Sequence, residues 1–154
     1  MEPAVRMLLL LLFTVYSSAL EKSHSVHKRS ILNLAGVIQC RTGHSALAYV
    51  SYGCYCGLGG NGWPRDKIDW CCHKHDCCYD RAESLGCKPK SKSYAWTCKN
   101  NIAKCTSMNS LCKRLSCKCD TELAKCFSQA PFRRKYVFWP KIMCGDDFPT
   151  CSIY

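Results

Sequence analysis

The chain has 154 residues, a length for one domain rather than two. Its sixteen cysteines are an even number and an extreme share of so short a sequence, which argues against the reducing cytosol and for a disulfide scaffold. The formal charge of +11 suits anionic membranes, proteoglycans or nucleic acid; no nucleic-acid-reading motif is present, so nucleic acid is not an expected partner.

The first residues read as an export segment. Arg6 precedes a short apolar run, Met7 to Tyr16, and Ser17-Ser18-Ala19 supplies small residues for a signal peptidase. Residues 1–19 are therefore expected to be a signal peptide. Residues 20–29 are polar and end in the dibasic Lys28-Arg29, the pattern of a pro-segment cut ahead of Ser30. The first 29 residues hold four Lys/Arg and two Asp/Glu, which leaves 18 against 9, or +9, on residues 30–154.

In the expected single domain, Ile31, Leu34, Ala35 and Ile38 repeat at helical spacing. Tyr52 to Gly62 carries too many glycines for helix or ordinary strand and reads as a loop. Pro64 opens a helix that runs through His75 to near Gly86. Tyr94–Cys98 and Ile102–Cys105 flank Lys99-Asn100-Asn101 as a short hairpin. Leu111 to Phe127 is a second long helix, and the tail from Pro131 is irregular. The expected class is a mainly α, disulfide-rich small domain: an N-terminal helix, a glycine-rich loop, two long antiparallel helices and a two-stranded β-wing.

Chemistry concentrates in Cys71-Cys72-His73-Lys74-His75-Asp76-Cys77-Cys78-Tyr79. Cysteine doublets are poor zinc spacing, and no CxxC…CxxC pair exists. Cys71 and Cys78 are seven apart, as are Cys119 and Cys126, so two antiparallel helices could be laddered by 71–126 and 78–119, setting His75 opposite the neighbourhood of Asp120. Spacing permits this and does not choose it, since sixteen cysteines allow roughly two million connectivities. A lone histidine is more often structural than catalytic. Here Asp76 adjoins it, Asp120 lies on the facing helix and a glycine loop stands near. A partner on one ring nitrogen would fix the tautomer and leave the other nitrogen free for a proton. The loop's carbonyls with Asp76 would suit a hard cation such as Ca²⁺, although no EF-hand spacing is present.

The runs Tyr55-Cys56-Gly57-Leu58-Gly59-Gly60-Asn61-Gly62, Asp69 to Tyr79, and Cys117-Lys118-Cys119-Asp120 resemble the secreted phospholipase A2 family across essentially all of residues 30–154. The dibasic pro-segment, the Ile-Leu-x-Leu-Ala-Gly start and the cysteine count are most similar to its group X type. The resemblance implies calcium-dependent hydrolysis of the sn-2 ester of membrane phospholipids outside the cell. It implies His75 as general base, Asp120 as its orienting carboxylate, and Tyr79 and Tyr94 as donors to Asp120. It implies Ca²⁺ held by the carbonyls of Tyr55, Gly57 and Gly59 and by Asp76, with the Gly57 N–H at the oxyanion. Ile31, Leu34 and Ile38 would wall an acyl channel, and Trp96, with Trp63 as the weaker candidate, would contact zwitterionic lipid. It also implies the two rungs above together with pairs 54–144, 56–72, 77–151, 87–112, 105–117 and 40–98. A monomer is expected, with a phospholipid surface as partner. Heparan sulfate for the Arg133-Arg134-Lys135 run and a secreted-phospholipase receptor are further candidates. The rival readings are a non-catalytic relative, against which intact His75, Asp76, Gly57 and Gly59 speak, and a host-defence protein acting by charge alone.

Overall fold

The computed structural model describes residues 30–106 and 109–154; the expected signal peptide and pro-segment lie outside the described residues. Helix α1 covers 30–42. Its buried stripe is Val37 and Ile38, and Ser30 Oγ donates to Pro89 O at 2.7 Å, tying its first described residue to the segment that precedes the wing. A 3₁₀ turn, Ala46–Tyr49, follows, capped by Ser45. Tyr49 stacks on Phe127 with ring centroids 4.2 Å apart. The glycine loop then runs without helix or ladder to residue 62, apart from one bridge between Tyr52 and Val137.

Helix α2 is Lys67–Ser84 and helix α3 is Leu111–Ser128. The expected start at Pro64 falls three residues early. Asp66 is the N-cap, its carboxylate accepting the Asp69 N–H at 3.1 Å, so Pro64 and Arg65 stay outside the helix. The end is as read: Gly86 takes a left-handed φ of 79° two residues after Ser84. Strands β1 (Ala95–Lys99) and β2 (Ile102–Thr106) pair antiparallel, with Lys99 opposite Ile102. Asn100 and Asn101 both have positive φ, 52° and 57°, as a two-residue hairpin turn of the mirror-image type requires. The tail is not wholly irregular. It holds 3₁₀ turns at Arg134–Tyr136, Lys141–Cys144 and Cys151–Ile153.

Eight disulfides consume all sixteen cysteines. Cys71–Cys126 and Cys78–Cys119 lock α2 to α3 two turns apart. Cys56–Cys72 and Cys54–Cys144 fasten the loop to α2 and to the tail. Each closure removes freedom from the unfolded chain, typically about 2–4 kcal/mol. The other four pairs are 40–98, 77–151, 87–112 and 105–117, so the map implied by the resemblance is the one observed.

A second kind of fastening uses a buried carboxylate. Asp69 has no exposure and accepts the N–H groups of Cys54, Tyr55 and Arg65, each at 2.8 Å. Burying an ion is costly unless donors surround it, and these three supply them. Gly53, beside the anchor, has φ of 59°, and a Cβ there would collide with the Asp69 carboxylate. Gly53→Ala is therefore expected to destabilise the fold by at least about 2 kcal/mol, from left-handed strain plus displacement of the anchor. Denaturant titration against the parent checks it; an unchanged midpoint would show that the anchor tolerates movement.

Candidate active site

The facing sides of α2 and α3 carry the expected constellation. Asp120 has no exposure and His75 is 9% exposed. His75 Nε2 lies 2.7 Å from Asp120 Oδ1. A carboxylate only accepts, so Nε2 carries the hydrogen and Nδ1 keeps its lone pair. Tyr79, one turn after His75, donates its hydroxyl to the same oxygen at 2.7 Å, and Tyr94, just before β1, donates to Oδ2. Three donors on one buried carboxylate fix its rotamer and hence the imidazole's. Burial, and then the negative charge of Asp120, push both tyrosine hydroxyls well above their usual range, so they remain donors at any working pH.

The glycine loop faces the other side of α2. Gly57 and Gly59 have φ of 116° and 70°, conformations that L side chains rarely adopt. Among the described residues, the carbonyls of Tyr55, Gly57 and Gly59 accept no hydrogen bond, and the Gly57 N–H donates none. Asp76, adjacent to His75, is largely buried with no hydrogen bond or ion pair among them either. Burial raises its carboxyl to about 6, with the neighbouring His75 pulling the other way. Three uncommitted carbonyls on a loop tied by Cys56–Cys72 to the turn of α2 before Asp76, together with that carboxylate, offer all-oxygen donors, the chemistry that Ca²⁺ takes.

The apolar candidates are spread along α1. Ile31 is 55% exposed, Leu34 is partly buried, and Ile38 belongs to the core at 4%. Trp96 points from the inner face of the wing onto α1; a Cβ on Gly36 would stand 2.6 Å from its ring. It is half-buried there, whereas Trp63 is 51% exposed and edge-on to Trp70. Two residues that sequence reasoning passed over contact the loop. One is Asp69, whose signal was an aspartate in the first turn of α2 ahead of the cysteine doublet. The other is Lys141, whose Nζ donates to Cys54 O at 2.7 Å and Gly53 O at 3.4 Å and which no local pattern marks.

Two antiparallel helices bridged around a buried His–Asp pair, with a disulfide-hung glycine loop beside them, describe a hydrolase of the phospholipase A2 type. A sequence model of the family described as Phospholipase A2 matches residues 31–137, and the chain belongs to that family. It is similar to the human protein named Group 10 secretory phospholipase A2, with 50% identity over 127 residues, 82% of this chain and 77% of that one. It is 53% identical over 149 residues to a protein of Meiacanthus atrodorsalis named Phospholipase A2, covering 97% of each. The human Group IIE secretory phospholipase A2 is 43% identical over 124 residues, 79% of this chain and 87% of that one.

The Asp76 environment has a direct consequence for the metal-free protein. The folded carboxyl binds its proton more tightly than an unfolded one, whose value is near 3.8, so stability falls as pH rises between the two values and stays lower above about 6. Asp76→Asn removes this cost. In chelator at pH 7.5 it is expected to be more stable than the parent by about 2–3 kcal/mol. The difference should vanish by about pH 3, below the unfolded value, and thermal melts at both pH values read it. A parent equal to the variant at pH 7.5 would show that the carboxylate is solvated.

Proposed function

We propose that this chain is a secreted, calcium-dependent phospholipase A2 that hydrolyses the sn-2 ester of membrane glycerophospholipids, releasing a fatty acid and a lysophospholipid. The observation that carries the reading is the His75–Asp120 pair, one imidazole nitrogen committed to a buried carboxylate and the other uncommitted. In this reading Nδ1 takes a proton from a water as the water attacks the ester carbonyl. Asp120 steadies the imidazolium that forms, and His75 then returns the proton to the departing glycerol oxygen. No acyl-enzyme is required, so no nucleophilic side chain is needed. Tyr79 and Tyr94 hold Asp120 through its two oxygens. The Gly57 N–H, which donates no hydrogen bond among the described residues, would be among the donors to the developing oxyanion.

Tyr55, Gly57 and Gly59 would hold calcium through their carbonyls and Asp76 through its carboxylate. Calcium held there would supply a Lewis acid for the substrate phosphate and the ester carbonyl. The acyl chains would run past Leu34 and Ile38, with exposed Ile31 and the Trp96 ring at the mouth. Phospholipid vesicles are the substrate in mind. Among the described residues no helix is long and apolar enough to cross a membrane, so the contact would be made from one side. Exposed Leu58 at the loop tip and Trp63 support that contact, as does the +9 charge of residues 30–154 for anionic lipid. Arg133, Arg134 and Lys135, all exposed, would take an acidic polysaccharide such as heparan sulfate. Residues 1–19 as signal peptide and 20–29 as pro-segment belong to the same proposal. It is supported by the apolar run Met7 to Tyr16, the small residues Ser17-Ser18-Ala19 and the dibasic Lys28-Arg29.

His75→Gln is expected to lower hydrolysis of phospholipid vesicles by at least about 10³-fold. The calcium-induced rise in Tm should persist in that variant; retained turnover would overturn the base assignment. Asp76→Lys is expected to abolish both turnover and that calcium-induced rise. Calcium-dependent hydrolysis by this variant would remove Asp76 from the metal site.

A further inference from the structure

The peptide groups at the start of the glycine loop are gripped from two sides. Asp69 takes the N–H of Cys54 and of Tyr55. In a planar trans peptide the carbonyl points opposite to the N–H. The carbonyls of those same two peptides are Gly53 O and Cys54 O, and both face the ammonium of Lys141, at 3.4 and 2.7 Å. Lys141 opens the 3₁₀ turn Lys141–Cys144, which is tied back by Cys54–Cys144 and by the Trp63 N–H on Cys144 O. The backbone of the turn that carries Lys141 is thus fixed beside the loop, and from there its exposed side chain reaches the two carbonyls.

Its electrostatic setting is unusual. The Lys141 ammonium is partly desolvated, which lowers its affinity for the proton, while Asp69 and Asp76 attract its charge. No carboxylate pairs with it directly; its hydrogen bonds go to carbonyls. The next carbonyl along the chain after Cys54 O is Tyr55 O, the first of the three uncommitted carbonyls. A fixed positive charge therefore sits one peptide from the donor set and draws on the same carboxylate, Asp76, as any cation entering there.

We propose that Lys141 is a built-in cation that sets the calcium threshold of the loop, weakening Ca²⁺ binding by competing for the field of Asp76 while it holds the first two peptides in register. This rests on the calcium assignment made above. For a single and a double positive charge, a separation on the order of 10 Å would weaken binding roughly fourfold in a water-like dielectric, and more where water is partly excluded. Lys141 acts through the loop and touches no substrate, so it is a positioning residue whose charge carries a cost in affinity. The consequence for function is a site that stays empty at low calcium and fills where calcium is abundant.

The test is calorimetric titration of Ca²⁺ into the full-length domain of residues 30–154, without lipid, for the parent and three variants. Lys141→Gln keeps a donor for Cys54 O and removes the charge. Lys141→Met removes both, and Lys141→Arg keeps the charge. Lys141→Gln is expected to bind calcium at least about threefold more tightly than the parent, and Lys141→Arg within twofold of it. Lys141→Met should also tighten, but less than Lys141→Gln, because the loop peptides lose a donor. Added salt should narrow the gap between parent and Lys141→Gln. Equal or weaker binding by Lys141→Gln, with Lys141→Arg unchanged, would overturn the inference and leave the calcium assignment standing. A parent that bound no calcium would overturn both. Near-ultraviolet circular dichroism of each variant reports whether the loop and its neighbouring aromatics keep their packing.

Discussion

A carboxylate without access to water survives in a protein only if donors are brought to it, and the centre of this fold is arranged around that requirement. Asp120 has no exposure, and its two oxygens receive His75, Tyr79 and Tyr94. Two of these donors come from α2 and the third from the segment entering the wing. Satisfying one charge therefore fixes how three parts of the chain meet. Cys71–Cys126 and Cys78–Cys119 bracket His75 on α2 and Asp120 on α3, so the helices cannot slide and leave the carboxylate half-paired. Removing one donor would leave a buried acceptor under-satisfied, at a cost of about 1–3 kcal/mol. The groups that orient the imidazole are thus the groups that make the core tolerable, and stability and chemistry cannot be separated here.

The second buried carboxylate works on backbone instead of side chains. Asp69 gathers N–H groups, and each peptide it holds is obliged to present its carbonyl outward. A loop with many glycines would otherwise sample many conformations, each with a different set of inward-facing oxygens. Anchoring its first peptides, and then tying Cys54 and Cys56 by disulfides, leaves a short span from Tyr55 to Gly59 whose carbonyls have no partner within the described chain. Gly57, Leu58 and Gly59 are exposed, and an uncommitted carbonyl beside water costs little, so the loop can hold this arrangement unpaired.

Much of this was legible in the sequence because it is written in local spacing. The seven-residue intervals of Cys71–Cys78 and Cys119–Cys126 matched two turns of facing helices, and the doublet beside His75 marked the densest chemistry. The family resemblance carried the remaining six pairs, which spacing alone left open among a very large number. What stayed hidden depends on contacts remote in sequence. The start of α2 was misplaced because Pro64 is a good first-turn residue, while the cap that decides the matter is the hydrogen bond that the Asp69 N–H donates to the Asp66 carboxylate. Ile38 fits an amphipathic stripe equally well as channel wall or as core, and only packing shows it 4% exposed. Lys141 lies in a tail with no periodicity. Its place at the loop depends on a closure between positions 54 and 144, 90 residues apart.

The doublets of α2 show how one helix serves two sites at once. Successive residues on a helix point about 100° apart, while residues four apart share a face. Cys71 and His75 are four apart, and so are Cys72 and Asp76. Cys71 bonds to Cys126 of α3, so the face it defines is turned to α3, and His75 one turn later meets Asp120 there. Cys72 bonds to Cys56, between the loop carbonyls of Tyr55 and Gly57, so its face is turned to the loop, and Asp76 one turn later lies on that side. Adjacent cysteines thus send neighbouring elements to adjacent faces, and the adjacent histidine and aspartate inherit those directions. Inserting a single residue between Cys72 and His75 would turn the imidazole away from Asp120 and the carboxylate away from the loop by the same 100°. The spacing of two cysteines from two polar residues is therefore a geometric device, and it explains why chemistry and crosslinks are crowded into nine consecutive positions.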